Sequence, residues 1–151
     1  MWITGEIDLP DELLDAHANG DLVLFVGAGA SMAPPAGHPN FRSLAEIVAT
    51  QLGHPASDQD LLIPDEFLGE LAESFGVHQA VRSVISRQDA EPNPLHHALV
   101  RLASAGGRFR MVTTNYDTLL TAAADDVNTN IYCGPALPLG DDFTGIVYLH
   151  G

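Results

Sequence analysis

Three separated clusters in this chain hold the residue types that could do chemistry. Gly27-Ala28-Gly29-Ala30-Ser31 is a turn of small residues, in which backbone amides can approach a ligand closely because few side chains intervene, the way a chain cradles a diphosphate. Thr114-Asn115-Tyr116-Asp117 sets an amide and a carboxylate two residues apart. His150 carries an imidazole, the side chain most often used as a general base near neutral pH. Each cluster also has a plain structural explanation. Glycines turn a chain, Thr114 or Asn115 can cap a helix, Asp117 can complement its dipole, and His150 or Arg42 can be an ordinary surface residue. The chemical reading rests on their occurring together and in this order.

The elements around them predict how they would meet. Leu22 to Val26 is an apolar run without alternation, which predicts a strand covered on both faces, as in a parallel sheet. Met32 stands where a dinucleotide fingerprint has its third glycine, and Pro34, Pro35, Gly37 and Pro39 predict a long ordered loop instead of an immediate helix. A helix is predicted from Pro10 to about Asn19-Gly20, with Leu13, Leu14 and Ala18 as its apolar side. Ser43-Leu44-Ala45-Glu46 fits a capping box and predicts a helix from Ser43 to about Leu52. Further helices are predicted from Pro64, with Phe67, Leu68, Leu71, Ala72 and Phe75 at helical spacing, over about Val77 to Arg87, and from Asn93-Pro94, which would carry Leu95, Leu99, Val100 and Leu102 inward as far as Gly106-Gly107. Phe109 to Thr113, Asn130 to Tyr132 and Ile146 to Leu149 have strand character, and a helix is predicted over about Thr118 to Asp125. The class is therefore α/β, with a helical insertion between the first two strands. If the strands are parallel, all three clusters lie at one edge of the sheet.

Composition removes several alternatives. The 151 residues suit one domain, and 20 Asp+Glu against 6 Lys+Arg give a formal net charge of -14, which disfavours a nucleic-acid backbone or an anionic membrane as partner. All six basic residues are arginines, so the chain has no P-loop lysine, Schiff base or lysine general base, and an anion site must rely on backbone amides and arginine. Cys133 is the single cysteine, which leaves neither an internal disulfide nor a four-cysteine zinc site. Nothing beside it in sequence stabilises a thiolate. The acidic N-terminal segment is unlike a signal peptide and no apolar run has the length of a membrane span, so a cytoplasmic protein is expected. His96-His97 reads as a surface or core feature, not as a metal site, and Asp125-Asp126 and Asp141-Asp142 read as solvated loop charge.

GAGAS (Gly27 to Ser31), then GHPNFRS (Gly37 to Ser43), then TTNYD (Thr113 to Asp117), then LHG (Leu149 to Gly151) resemble the sirtuin family, and in particular its divergent bacterial branch, over about Asp21 to Gly151. The resemblance implies a Rossmann-like parallel sheet with NAD across its strand ends. By it, Gly27, Ala28, Gly29 and Ser31 hold the diphosphate, Phe41 and Arg42 sit beside the nicotinamide ribose, and Thr114 joins the cofactor-binding set. Asn115 and Asp117 match the pair in the nicotinamide pocket, and His150 matches the general base. The implied activity is hydrolysis of NAD to nicotinamide and ADP-ribose, since divergent bacterial relatives with the TTNYD form resemble NAD-depleting effectors of anti-phage defence, joined to a sensor domain or regulated by assembly into oligomers. The alternatives are NAD-dependent lysine deacylation and a non-catalytic module that senses NAD or ADP-ribose. Asn40 stands where sirtuin deacylases commonly have aspartate, and Tyr116 replaces their usual aliphatic residue. Because family members continue beyond His150-Gly151, the expectation is a single domain, 1–151, incomplete at its C-terminus and with little turnover in isolation.

Overall fold

A computed structural model of the chain describes residues 8–73, 76–140 and 142–149. Four strands, β1 (Leu24–Val26), β2 (Arg110–Thr113), β3 (Asn130–Cys133) and β4 (Gly145–Tyr148), form one sheet in the order β1-β2-β4-β3, and every neighbouring pair is parallel. A parallel pair cannot be closed by a tight hairpin. The chain accordingly crosses over through helices: α1 (Asp11–Ala18) precedes the sheet, α2 (Phe41–Gln51), α3 (Pro64–Ala72), α4 (Val77–Ile85) and α5 (Pro94–Ala105) lie between β1 and β2, and α6 (Leu119–Ala123) follows β2. This is the Rossmann-like architecture with the long helical insertion that the sequence predicts. Gly145 opens β4 at φ +145, and a side chain there would run into the carbonyl of Asn130 on β3, so the close approach of these strands requires glycine.

Two apolar clusters hold the fold. In one, Val26, Met111, Ile146 and Tyr148 from the sheet pack against Val100 and Ala103 of α5, Leu120 of α6 and its C-cap Ala124. In the other, Leu44, Ala45 and Val48 of α2 meet Leu68 of α3 and Val77, Ala80 and Val84 of α4, which makes the insertion a small core of its own. The candidate site lies between the two.

Several expectations are corrected in detail. The first strand is not covered on both faces among the described residues: Leu24 and Val26 turn to α5 and α6, while Phe25 is 66% exposed on the other face, in the row it forms with Val112, Val147 and Tyr132. The cap of α2 is Asn40, not Ser43; the Asn40 carboxamide oxygen accepts the Ser43 N–H at 2.9 Å, so the helix starts two residues before the expected capping box. Leu95 and Leu102 face outward on α5; His96, Val100 and Ala103 are buried, and Leu99, partly buried, packs against the core as expected. Helix α1 has no buried residue. Phe75, Asp141 and His150 lie outside the described residues.

Candidate active site

The turn after β1 and the loop after β2 are joined at Ser31. This side chain is buried, and its hydroxyl donates to Asp117 Oδ2 at 2.8 Å and accepts from Asn115 Nδ2 at 3.1 Å. A third partner, His96 Nε2, stands 3.1 Å away. Its role follows from the far side of the ring, where His96 Nδ1 accepts the Asn93 N–H at 3.1 Å and so carries no proton. In the neutral ring Nε2 then bears the hydrogen and donates to Ser31. Burial holds the His96 pKa below its ordinary value and so favours the neutral ring, while the Asp117 carboxylate pulls the other way. The Ser31 hydroxyl thus uses its one donor and both lone pairs inside the protein. His96 gives Ser31 a proton bond and does not withdraw its proton, so this Ser-His-Asp cluster is not an activated nucleophile. It positions Asn115 and Asp117.

The surrounding loops are tied into the same arrangement. Asn115 N–H donates to Thr113 Oγ1, whose hydroxyl donates to the Val26 carbonyl at 2.9 Å, and Asp117 Oδ1 accepts the Leu119 N–H at 3.0 Å at the start of α6. Asn93 caps α5 through its carboxamide oxygen, and its Nδ2 donates to the carbonyls of Ala30 at 2.7 Å and Ala33 at 3.1 Å, which fixes the loop after the glycines. Sequence reasoning missed both His96 and Asn93 as site-building residues. The available signal was Asn93-Pro94 three residues before a histidine, a helix start whose third position can reach back to the cap.

A pocket of about 300 Å³ opens beside this network, near the lower end of the roughly 300–1,000 Å³ typical of ligand sites. Ala28, Ser31, Thr114, Asn115 and Asp117 line it from the sheet edge, Phe41 and Leu44 from α2, and Ile85 from the end of α4, with His38, Pro39 and Tyr116 completing the wall. Of the residues singled out in the sequence, Ala28, Ser31, Phe41, Thr114, Asn115 and Asp117 are therefore brought together. Gly27 and Gly29 do not line this pocket; both are exposed, and among the described residues a Cβ built on either meets nothing, which leaves open space over the turn. Arg42 is turned away, donating to the Leu61 carbonyl at 3.2 Å and lying 3.7 Å from Asp58. Leu149, the last described residue, donates to the Thr113 carbonyl at 3.0 Å and so leaves β4 beside the TTNYD segment. Asn115 Oδ1 is buried with no hydrogen-bond partner among the described residues. Elsewhere, Cys133 is exposed on β3, and the described residues contain no group of three or more His, Cys, Asp or Glu side chains that could hold a metal ion.

No protein-family model matches the chain. Individual relatives do. It is 30% identical over 121 residues to the defense-associated sirtuin 2 of Bacillus subtilis, which covers 74% of this chain and 11% of that protein. It is 31% identical over 114 residues to an NAD-dependent protein deacylase of Methylococcus capsulatus, 75% of this chain and 42% of that one. It is 31% identical over 131 residues to the NAD-dependent histone deacetylase HST4 of Saccharomyces cerevisiae, 86% of this chain and 32% of that one. The chain is a sirtuin-like domain.

The sirtuin-like domain spans between about a tenth and two fifths of the length of these curated relatives. Its two departures from the deacylase pattern now have locations. Asn40 caps α2, a task that aspartate performs equally well, and Tyr116 is an exposed residue at the pocket mouth. No described helix is long and apolar enough to cross a membrane.

Proposed function

We propose that the protein carrying this sirtuin-like domain hydrolyses NAD, with the pocket beside Asn115 and Asp117 receiving the nicotinamide. The reading is supported above all by the convergence of Ser31, Asn115 and Asp117, which come from two distant segments and meet at the carboxyl edge of a parallel sheet, where open α/β folds bind ligands. The residues fit the group. Asn115 Oδ1 is an idle buried acceptor, and the open space over Gly27 and Gly29 admits a diphosphate against the backbone.

In hydrolysis the bond between the nicotinamide nitrogen and the ribose anomeric carbon breaks, its electron pair leaves with neutral nicotinamide, and a water oxygen bonds to that carbon while its proton passes to a base. Asn115 and Asp117, held by Ser31, orient the carboxamide and face the positive charge that grows on the sugar. His150 is the proposed base, on its position in the terminal His-Gly of the motif series. Such a base typically contributes about a hundredfold to ten-thousandfold. Gly27, Ala28 and Gly29 are the proposed diphosphate cradle, with Phe41 at the ribose. The Ser31 side chain positions Asn115 and Asp117, because its only proton is engaged by Asp117 and a phosphate offers acceptors alone.

The defense-associated relative supports a role in defence; hydrolysis as the outcome, an antiviral function and control by oligomerisation or a sensor partner are part of the proposal. The two NAD-dependent deacylating relatives favour a second reading, transfer of an acyl group from lysine. Incubating the full-length protein with NAD alone tests the proposal. Nicotinamide release without any peptide supports hydrolysis, release only with an acyl-lysine peptide supports deacylation, and binding without release supports a sensor.

A further inference from the structure

His38 is 8% exposed, yet among the described residues neither of its ring nitrogens has a hydrogen-bond partner. Its place is fixed by the backbone. The His38 N–H donates to the Ser31 carbonyl at 2.9 Å, and the preceding Gly37 carbonyl accepts from Arg87 at 3.3 Å. The residue lines the same pocket as Ser31, Asn115 and Asp117. A buried imidazole with both nitrogens idle forfeits a donor and an acceptor, and an apolar side chain would fill this place without that loss, as Phe41 and Leu44 do in the same wall.

Among the described residues, the other buried side-chain atom of the pocket without a partner is Asn115 Oδ1, an acceptor. The unmet requirements are therefore one donor for Asn115 and, for a neutral imidazole in either tautomer, one acceptor and one donor. A planar primary carboxamide answers this set, with an NH2 that donates and a carbonyl that accepts. The corresponding carboxylate has acceptors only and would set negative oxygen against Asn115 Oδ1. We propose that His38 is a specificity-determining residue which, together with Asn115, takes the carboxamide of the nicotinamide ring and selects the amide over the acid. The assignment rests on the proposed seating of the nicotinamide of NAD in this pocket.

The test uses the full-length protein and two readouts, direct binding of free nicotinamide and nicotinic acid, and the KM for NAD. His38→Leu and His38→Phe should keep or raise the melting temperature, because an idle buried polar group is replaced by an apolar one. They should weaken nicotinamide binding and raise KM by about tenfold to a hundredfold, the loss of one buried hydrogen bond, and narrow the preference for amide over acid. His38→Gln, which keeps a donor and an acceptor, should recover part of both. A folded apolar variant that keeps nicotinamide affinity and KM within twofold overturns the assignment, and so does unfolding of both apolar variants, which would make His38 a core residue. If the wild type binds nicotinamide through His38 but does not cleave NAD, the hydrolase reading fails and this assignment stands. If it binds no nicotinamide, this assignment fails, and nicotinamide release from NAD alone still decides the hydrolase reading.

Discussion

Ser31 Oγ lies 2.8 Å from Asp117 Oδ2, a bond across 86 residues of chain that ties the glycine turn after β1 to the loop after β2. The same oxygen also receives Asn115 Nδ2 and His96 Nε2, so one small hydroxyl sets the relative position of an amide, a carboxylate and a helix start.

Removing that hydroxyl has a definite consequence. Ser31→Ala leaves His96 Nε2 without its partner and reduces Asn115 Nδ2 and Asp117 Oδ2 to the 3.4 Å bond between them, and should cost about 1–3 kcal/mol of stability. Chemical denaturation of the variant against wild type measures this. Loss of less than about 0.5 kcal/mol, the range of ordinary surface changes, would contradict the network.

Acid should loosen the same region. Burial holds the folded His96 below the ordinary histidine value of about 6.5. Between that value and its lower folded one the unfolded chain binds more protons, so stability falls as pH falls through this window and is fully present above it. The carboxylate of Asp117 opposes the shift, while His97 and His38 add to it. Protonation also costs the Nδ1 acceptor that Asn93 uses. Unfolding free energies measured from pH 7.5 down to 5 should decline in the wild type, with a shallower decline in His96→Gln. Equal slopes would show that His96 does not carry the effect.

The glycine turn separates folding from binding. Because a Cβ at Gly27 meets nothing among the described residues, Gly27→Ala should melt within a degree or two of wild type. If a diphosphate lies against that backbone, the added methyl should nevertheless raise the KM for NAD by about tenfold or more, since a crowded contact of this kind is worth a kcal/mol or two. Unchanged KM would move the cofactor away from the turn.

Much of this was legible in the residues, and the part that was not has physical causes. The strands, the helical insertion and the convergence of GAGAS with TTNYD could be read because an apolar run, a glycine break and a helical period are local signals, and parallel pairing brings strand ends to one edge. The exposure of Phe25 could not be read from Leu22 to Val26, because a run without alternation does not say which face is covered. The cap of α2 was misplaced because Ser43 and Asn40 are both good capping residues and only the backbone decides between them. His96 escaped notice because its importance lies in a contact with Ser31, 65 residues away, which no local pattern encodes. Arg42, carried over from the motif, is held by Leu61 and Asp58 on the insertion instead of reaching the pocket.

The central claim is that Asn115 and Asp117, fixed by Ser31, form the place where NAD is cut. The most direct measurement is the rate of nicotinamide release from NAD alone by the full-length protein and by Asn115→Ala, with melting temperatures recorded for both. The account predicts release without any acyl-lysine peptide, and a fall of about a hundredfold or more in a variant that remains folded, the size expected when a preorganised polar group is removed from a reacting centre. Release from the folded variant at the wild-type rate, or release by the wild type only when an acyl-lysine peptide is supplied, would contradict it.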